Sequence, residues 1–552
     1  MLKPTLPPYD LAEWRAKPFR DRLEWVCGAW AIQGYGSPLA VYGLYLAKIA
    51  VYCVVWAWFC TFTPGFRLSE ITGWWATDVA FHKAIVFTML FEGLGLGCGS
   101  GPLTGRYVPP IGGALYFLRP GTTKLPLVRL PVIGGDRRTV LDVVLYGAVI
   151  VQLVRILVAP AVTPSLIVPV LIAVPVLGLL DRTLFLVFRS EHYLSVLVCL
   201  LFADWLPAAK VVWLAIWWWA ATSKVNRHFP AVMCVMVSNS PVMPQALKKQ
   251  MYRAYPSDLR PSALATRLAH FGTVAEYVFP LVLALAVGGP ITAITLAFAT
   301  VFHAFILSEV PMGVPLEWNV IMVYGAWVLF GVHADVRAWG IHDPALWAWL
   351  VGFHLALPLY GSLYPGRVSF LLAMRYYAGN WAYSVWLFRG NAAEKLDRHL
   401  VKWSMRVQRQ LALLYDADTI DALMSKVVAF RAMHLHGRAL RDLVPRAVDD
   451  IDQYEWLDGE IVAGMVVGWN FGEGHLHDLR LLRAIQTQCR FEPGELRVIL
   501  VESQPLHRGT QAWTIADAAD GVLATGEVVV AELAELQPWP DAISAASTPA
   551  PA

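Results

Sequence analysis

Charged residues are scarce in this sequence for its length. Asp, Glu, Lys and Arg together make up 15% of the 552 residues, whereas soluble proteins usually carry about 25%. A surface that faces water needs charge, so this composition argues against a wholly soluble protein. The formal net charge of +3 is too small to indicate a nucleic-acid-binding protein.

Cysteine is also sparse, and its spacing is irregular. The seven cysteines form no Cys-x-x-Cys or other paired pattern, and five of them lie in or beside apolar runs. We therefore interpret them as small packing residues, not as a disulfide framework or a metal site. The sequence also lacks Gly-x-Ser-x-Gly, a zincin helix and a Cys–His pair, so nothing in it indicates a hydrolase.

Long apolar runs dominate the first two thirds of the chain. Hydrophobic residues make up 57% of the sequence, and each run has the ~17–25 residues that are needed to cross a hydrocarbon core. Backbone groups in lipid must bond within their own segment, so the runs are predicted to be helices. We therefore expect a transmembrane bundle of about ten helices over residues 37–364, formed by the runs 37–62, 79–98, 139–159, 164–181, 184–203, 207–223, 263–287, 290–308, 318–334 and 345–364.

Basic residues are concentrated in three of the connections. The loops 99–138 and 224–262 and the segment after residue 364 carry an excess of Lys and Arg. With ten spans, these segments and the N-terminus fall on one side, which the positive-inside rule identifies as the cytoplasm. We expect a multi-pass protein of the plasma (inner) membrane with both termini cytoplasmic. We expect residues 1–36 not to be a cleavable signal, and we predict that they form an amphipathic helix on the membrane surface.

The composition changes near Pro365. Residues 365–449 have amphipathic helical patterning and are predicted to be a juxtamembrane helical connector. Residues 450–540 are predicted to form a small soluble α+β domain, and the tail 541–552, rich in Ala, Ser and Pro, is predicted to be disordered. Within the domain, the expected elements are the strands Glu460–Trp469 and Leu496–Glu502, the hairpin of Gln511–Ala516 with Gly526–Glu532, and a helix near Asp478–Gln488.

Ionisable residues inside the apolar runs are the first candidates for a functional site. An isolated charge there costs at least ~2.5 kcal/mol, although a side chain near a run end can reach the interface. Glu92, Glu276 and His303 lie well inside their runs. A hairpin at Gly288-Gly289-Pro290 would place Glu276 and His303 at nearly the same depth, about 20 Å from the turn at 1.5 Å per residue. The whole set is His82, Lys83, Glu92, Asp142, Arg155, Asp204, Lys224, His270, Glu276, His303, Glu309, Glu317 and His354.

Lys224 closes an apolar helix in the segment WWWAATSKVNRHFP, residues 217–230. A polar turn and another apolar stretch follow it. An interfacial anchor would explain this pattern, but a lysine that is partly desolvated against aromatic rings can also act as a general base. We predict that Lys224, Glu276 and His303 share one polar cavity.

This segment resembles one in the bacterial membrane proteins related to vitamin K-dependent gamma-carboxylase. The small residues before Lys224, the aromatic residue after it and the later stretch Val301–Leu307 carry the resemblance. It implies that Lys224 is a catalytic base and His303 its partner, acting on a lipophilic substrate such as a lipid or a quinone. The whole chain also resembles an uncharacterised bacterial family of multi-pass proteins, through LKPTLPPYDLAEW…QGYGSPLAVY and DGEIVAGMVVGWNFGEGHLH. That likeness implies an architecture and no activity.

Two functions from different classes remain open. One is a membrane-embedded, carboxylase-like enzyme with Lys224 as base. The other is a non-catalytic carrier or scaffold for lipid or envelope components, whose cytoplasmic domain binds a protein partner. Replacing Lys224 with alanine separates them, because a catalytic base would lose turnover while ligand binding persists.

Two further patterns have simpler interpretations. The glycines of residues 93–105 lack the ending of a nucleotide-binding loop, and small residues that let helices approach closely explain them better. The pairs His434/His436 and His475/His477 would share a face only on a strand, and the first pair lies in a helical pattern. We therefore predict no metal site.

Overall fold

The computed structural model describes residues 2–97, 113–129, 134–309, 316–368, 378–469 and 474–540. The protein is mostly helical, with a small sheet near its C-terminal end. The predicted disordered tail and part of the glycine-rich segment lie outside the described residues.

Two N-terminal helices precede the apolar runs. Helix α1 (Leu11–Ala16) is capped by Asp10, which accepts a hydrogen bond from the amide of Glu13 at 2.8 Å. Helix α2 (Phe19–Gln33) has a buried apolar side, and Trp30 packs on Phe430 of the C-terminal region with ring centroids 5.5 Å apart. The segment that is predicted to lie on the membrane surface therefore packs against the C-terminal region of the same chain.

Within the described residues, five helices are long and apolar enough to cross a membrane. This number is lower than the ten spans expected from the apolar runs. The fifth helix combines α17 (Pro344–Val351), a π-helical stretch (Gly352–Ala356) and α18 (Leu357–Leu363). The five are α3 (Leu39–Cys60), α7 (Val140–Val158), α14 (Ala263–Leu285), α15 (Gly289–Ser308) and the composite Pro344–Leu363.

The other apolar runs form shorter or interrupted helices. The run 184–203 is broken at Arg189, whose φ of 50° is left-handed, and the short helices on either side are almost wholly buried. A polar residue in that conformation cannot continue an α-helix. These helices are α5 (Asp78–Gly93), α8 (Pro164–Leu180), α9 (Arg182–Val187), α10 (Ser190–Cys199), α11 (Trp205–Ser223) and α16 (Leu316–Ala326), which continues as a π-helix through Val332.

The predicted hairpin between α14 and α15 is present. Gly288 and Gly289 have φ of 98° and 78°, a conformation that suits glycine, and Pro290 lies in the first turn of α15. Smaller elements complete this part of the chain: α4 (Ile71–Trp74), α6 (Ala114–Phe117), α12 (Phe229–Asn239), α13 (Gln245–Gln250), and the two-stranded sheet of β1 (Tyr252–Ala254) and β2 (Asp258–Pro261).

The C-terminal region contains a five-stranded antiparallel sheet in the order β4-β3-β5-β6-β7. The strands Leu496–Val501 and Thr510–Asp517 with Gly521–Val529 agree with the predicted strand and hairpin. The strands are β3 (Tyr383–Arg389), β4 (Tyr454–Asp458), β5 (Leu496–Val501), β6 (Thr510–Asp517) and β7 (Gly521–Val529).

Two predictions for this region need correction. The segment 365–449, expected to be a helical connector, supplies β3, which pairs with β4 and β5. The run Glu460–Trp469, expected to be a strand, forms α23 (Gly459–Val467), whose first amides are capped by Asp458. All residues of α23 are buried, so its continuous apolarity resembled that of a core strand. The other helices are α19 (Glu394–His399), α20 (Val407–Leu411), α21 (Ala417–Ala432), α22 (Leu435–Ala447), α24 (Leu479–Cys489), as predicted, and α25 (Val530–Glu535).

The N-terminal helices and two of the basic loops contact the C-terminal region. Lys426 donates to the carbonyl of Thr5 at 2.7 Å. Arg260 of the loop before α14 lies 3.4 Å from Glu535, and Gln488 donates to the hydroxyl of Thr123 at 3.3 Å. These segments therefore lie on one face of the helical bundle, which we call the domain face.

Candidate functional site

Lys224 and Glu276 form a buried ion pair between α11 and α14. Lys224 is the C-cap residue of α11, and its ammonium donates to Oε2 of Glu276. The two side chains are only 7% and 5% exposed. The lysine Nζ also lies 5.2 Å from the ring centre of Phe229 and 5.9 Å from that of Phe302. Two of the three predicted site residues are thus in direct contact.

His303 lies on α15, and its ring nitrogens bond to other residues. The indole N–H of Trp217 donates to Nε2 at 3.2 Å, so Nε2 carries no proton. Nδ1 then donates to Oδ1 of Asn319 at 2.8 Å. His303 is therefore held as a neutral imidazole, and its two described hydrogen bonds go to Asn319 and Trp217.

The ion pair limits what Lys224 can do chemically. Its ammonium is held by the Glu276 carboxylate, and a lysine acts as a base only after it has lost a proton. Glu276, which is in contact with the ammonium, can take that proton. The arrangement is therefore suited either to a fixed structural pair or to proton exchange within the pair.

A second buried polar cluster lies near the domain face. Nε of Arg189 lies 3.5 Å from Glu92, and the guanidinium packs 5.7 Å from the ring of Trp318 and 5.5 Å from that of Trp469. The ring of His192 packs on that of Trp318 in a tilted arrangement, with ring centroids 4.3 Å apart. The cluster thus joins the bundle to the C-terminal region through Trp469.

Glu92 was among the residues predicted from the sequence, whereas Arg189, which lies between α9 and α10, and His192 of α10 were not. Arg-Ser-Glu-His at 189–192 places four polar residues in the middle of an apolar run. Such a block does not fit a helix surrounded by lipid. That interruption was the signal that could have identified the cluster. Glycines nearby permit close packing: a Cβ at Gly93 would lie 2.1 Å from the ring of Phe188.

An apolar groove follows one side of α11. It has a volume of about 540 Å³ and is bounded by α14, by the helix Pro344–Leu363 and, at one end, by Ala338 and Trp339. On α11 it extends from Val211 to Thr222, roughly 16 Å at 1.5 Å per residue. Several of its apolar walls are open to the outside of the bundle, including Leu285 (59% exposed) and Leu355 (55%).

The groove ends at a small set of polar groups. The hydroxyl of Tyr277 donates to Oγ1 of Thr222 at 2.8 Å, one residue along α14 from Glu276. Trp219 donates its indole N–H to the carbonyl of His354 at 2.7 Å. That carbonyl lacks an α-helical donor, because the residue four positions on is Pro358. The carbonyl lies in the π-helical stretch, and His354 is one of the residues that line the groove.

A smaller polar pocket continues beyond Thr222. It has a volume of about 30 Å³, and Thr222 lines both the pocket and the groove. Asn380 and Gln504 of the C-terminal region close it: Asn380 donates to the carbonyl of Gln504 at 2.9 Å, and the amide of Gln504 donates to Oδ1 of Asn380 at 2.6 Å. The pocket therefore lies where the bundle meets the C-terminal region.

The core of the C-terminal region holds its own buried charges. Arg431 bonds to Asp458 at 2.6 Å and to Glu460, which also accepts from the indole of Trp381 at 2.9 Å. Burial raises the pKa of Glu460 to about 7, although Arg431 opposes the shift. The single positive charge of Arg431 therefore faces two carboxyl groups, and protonation of Glu460 would leave one positive and one negative charge.

The two His-x-His pairs have separate partners. His434 donates from Nδ1 to the carbonyl of Phe430 at 2.7 Å, and burial lowers its pKa to about 3. His475 bonds to Glu502 and His477 to Ser384, each at 2.7 Å. In the part of the chain that the structure describes, no three His, Cys, Asp or Glu side chains are grouped to hold a metal ion.

Comparison with known proteins identifies the family and no activity. Residues 1–548 match the family described as transmembrane protein of unknown function (DUF3556), so the chain belongs to that family and is a transmembrane protein. No curated protein and no solved structure matches the chain. The predicted membership of an uncharacterised transmembrane family is therefore confirmed, whereas the comparisons support neither its bacterial origin nor the gamma-carboxylase resemblance.

Proposed function

We propose that this member of the DUF3556 family binds a single long-chain amphiphile, a membrane lipid or related molecule, in the groove along α11. The observation that carries the proposal is that the apolar groove and the polar pocket share Thr222. An apolar groove that ends in hydrogen-bonding groups matches a molecule with one apolar chain and one polar end. The groove volume of about 540 Å³ lies within the usual range for small-molecule sites.

The surroundings of the groove support entry from the bilayer. Its open side consists of apolar residues on α14 and on the helix Pro344–Leu363, two of the five helices that can span a membrane. A chain could therefore move sideways from lipid into the groove without crossing water. The C-terminal region, through Asn380 and Gln504, covers the polar end and acts as its lid and as a docking module for a protein partner.

In the membrane arrangement that we propose, the chain crosses the plasma membrane ten times and both termini are cytoplasmic. Five spans alone would put the N-terminus and the C-terminal region on opposite sides, but the two are in contact. Counting the five apolar runs that form shorter or interrupted helices restores an even number. The basic loops then share the domain face, which the positive-inside rule makes cytoplasmic.

A carboxylase-like enzyme is the second candidate. Lys224 lies two residues from Thr222, and Glu276 lies beside Tyr277, so the ion pair is next to the polar end of the groove. In this version, Glu276 takes a proton from Lys224, which then acts as base on the lipophilic ligand, with His303 as a neighbouring neutral group. A lipid or a quinone is the substrate class that the resemblance to the gamma-carboxylase-related proteins implies.

The groove proposal is tested by the lipid content of the purified protein. Ala284 lines the groove, whereas Ile294 is 68% exposed on α15 and lies outside it. We expect wild type and Ile294→Trp to retain a long-chain amphiphile on mass spectrometry after detergent extraction, and Ala284→Trp to lose most of it. Wild type without such a molecule, or full retention in Ala284→Trp, would contradict the proposal.

The enzyme version needs a separate measurement. Lys224→Ala is expected to keep the bound amphiphile and to abolish its chemical conversion, whereas a pure carrier would show no conversion in wild type. Mass spectrometry of the molecules bound to the full-length protein, before and after incubation, measures this conversion.

A further inference from the structure

A loop of the C-terminal region touches the end of a helix that can span the membrane. This loop, residues 502–509, connects β5 to β6. The backbone amide of Leu506 donates to the carbonyl of Ser362 at 2.9 Å, and Ser362 is in the last turn of the helix Pro344–Leu363. The middle of the loop therefore lies close to the point where that helix would leave the bilayer.

Exposed apolar and aromatic side chains connect the helix end to the loop. Tyr360 and Tyr364 are both exposed, and their ring centroids are 5.1 Å apart. The ring of Tyr364 also lies 6.1 Å from that of His507, and the adjoining residue, Leu506, is 46% exposed. Tyrosine is enriched where membrane and water meet. This set of side chains, which we call the interfacial patch, therefore continues the exposed surface of a membrane helix onto the C-terminal region.

Two arginines flank the interfacial patch. Arg367 donates to the hydroxyl of Tyr360 at 2.9 Å, and its guanidinium lies 5.5 Å from the ring centre of Tyr364. Arg508 is 58% exposed, and its ion pair with Glu527, at 3.6 Å, is exposed as well. Such a pair contributes little stability, so the guanidinium can exchange it for a better partner. Arginine binds phosphate through two parallel N–H groups, and phosphate is the charged group of a phospholipid surface.

The loop is held in shape from inside the protein. The side-chain amide of Gln504 donates to the carbonyl of Arg508 at 2.7 Å, and the amide of Arg508 donates to the carbonyl of Pro505 at 3.1 Å. Gln504 also bonds through its backbone to Asn380, at the edge of the small polar pocket. A fixed turn therefore presents Leu506 outward, next to the residues that close this pocket.

We propose that the interfacial patch binds the phospholipid surface on the domain face. Leu506 enters the boundary between headgroups and acyl chains, while Arg367 and Arg508 contact lipid phosphates. The bilayer is the occupant because the patch begins on a helix that is long and apolar enough to span it. A soluble partner would first have to displace the lipid headgroups around that helix end. The proposal goes beyond the proposed function and does not depend on what the groove binds.

Depth-dependent fluorescence quenching tests the membrane contact in the full-length protein in phospholipid nanodiscs. An NBD group on Leu506→Cys should lose most of its fluorescence when the lipids carry a doxyl group near the headgroup, and less when the doxyl group is at the chain end. Leu523→Cys is the matched control, since Leu523 is 44% exposed on β7 and lies ~20 Å along the strand, at ~3.3 Å per residue, from the end that adjoins the loop. Wild type labelled in the same way gives the background of the native cysteines.

A charge variant tests the two arginines. Replacing both, as Arg367→Gln with Arg508→Gln, should weaken the quenching at Leu506→Cys, most clearly in nanodiscs that contain the anionic lipid phosphatidylglycerol. Arg398→Gln supplies the control, because Arg398 is exposed and also lies 3.6 Å from an exposed carboxylate, that of Glu394. Circular dichroism of each variant checks that it is folded.

The outcomes are separable. Quenching at Leu506→Cys that is no stronger than at Leu523→Cys would overturn the membrane contact. Unchanged quenching in the double arginine variant, or an equal loss in Arg398→Gln, would overturn the binding of lipid phosphate by the two arginines. None of these measurements involves the groove, so the groove proposal can fail or stand independently.

Discussion

The buried pair of Lys224 and Glu276 makes a quantitative prediction about stability. Both side chains are more than nine-tenths buried. Removing one partner of such a pair leaves an uncompensated charge and typically costs about 3–5 kcal/mol, whereas replacing both by apolar residues is often neutral or stabilising. We therefore expect Lys224→Met and Glu276→Met each to lose about 3–5 kcal/mol, and the double variant to lie within about 1 kcal/mol of wild type.

The assay is a double-mutant cycle on the free energy of unfolding. The purified full-length proteins are unfolded with SDS in mixed micelles and followed by circular dichroism, so that each single variant and the double variant are compared under one condition. Arg15 and Asp421 supply the control pair, because they are 38% and 51% exposed and bond across the N-terminal and C-terminal segments. A pair this exposed should show a coupling of less than about 1 kcal/mol.

The outcome distinguishes a coupled pair from two independent side chains. If the double variant loses as much stability as the sum of the two single variants, the two side chains do not form an ion pair in the membrane. If the single variants match wild type, water reaches both groups and neither is buried. Rescue in the double variant would also show that Lys224 has a structural role, whatever its chemistry.

Three further outcomes are expected. Lowering the pH from 6.5 towards 3 should remove up to about 1.4 kcal/mol per unit of the stability that depends on His434, because burial lowers its folded-state pKa to about 3 and only the unfolded state takes up its proton in this range. The difference between wild type and His434→Gln in thermal melts isolates this contribution from that of Glu460, whose raised pKa acts in the opposite direction. Lys426→Met should cost about 1–3 kcal/mol in the same melts, since it leaves the carbonyls that the ammonium holds, including that of Thr5, without their donor, and a smaller loss would mean that water replaces it. Single cysteines at Lys249 and Asp449 should react with an impermeant maleimide from the same side of sealed vesicles, and labelling from opposite sides would contradict the ten-crossing arrangement.

Local patterns were sufficient to predict the features that depend on neighbouring residues. Gly288-Gly289-Pro290 indicated the hairpin because glycine readily adopts the positive φ of a tight turn, and proline, which has no backbone N–H, is tolerated in the first turn of a helix but not in its interior. Asp478 indicated the start of α24 because an acceptor side chain before an amphipathic run satisfies free amides. Because burying a charge in an apolar run costs free energy, Glu276 was predicted to have a partner, and that partner is Lys224.

Features that depend on the tertiary environment were missed or assigned wrongly. The strand Tyr383–Arg389 is paired on both edges and buried on both faces, so it lacks the alternation that distinguishes a half-buried strand. Helix α23 is buried all round and has no polar stripe to show its period. The π-helical stretch Gly352–Ala356, which contains His354, is also not specified by the sequence pattern.

The contact between the N-terminal helices and α21 has a consequence for the order of folding. The hydrogen bond from Lys426 to Thr5 joins residues 421 positions apart, so at 5–20 residues per second its donor is synthesised roughly 20 to 80 s after its acceptor. During that interval, the side of Trp30 that packs on Phe430 has no protein partner. The membrane surface can hold an amphipathic helix in the meantime. In the predicted arrangement, in which α2 first lies on the membrane surface, we expect its release from lipid to be a late step of biogenesis. A nascent chain that stops before α21 should keep this helix on the bilayer.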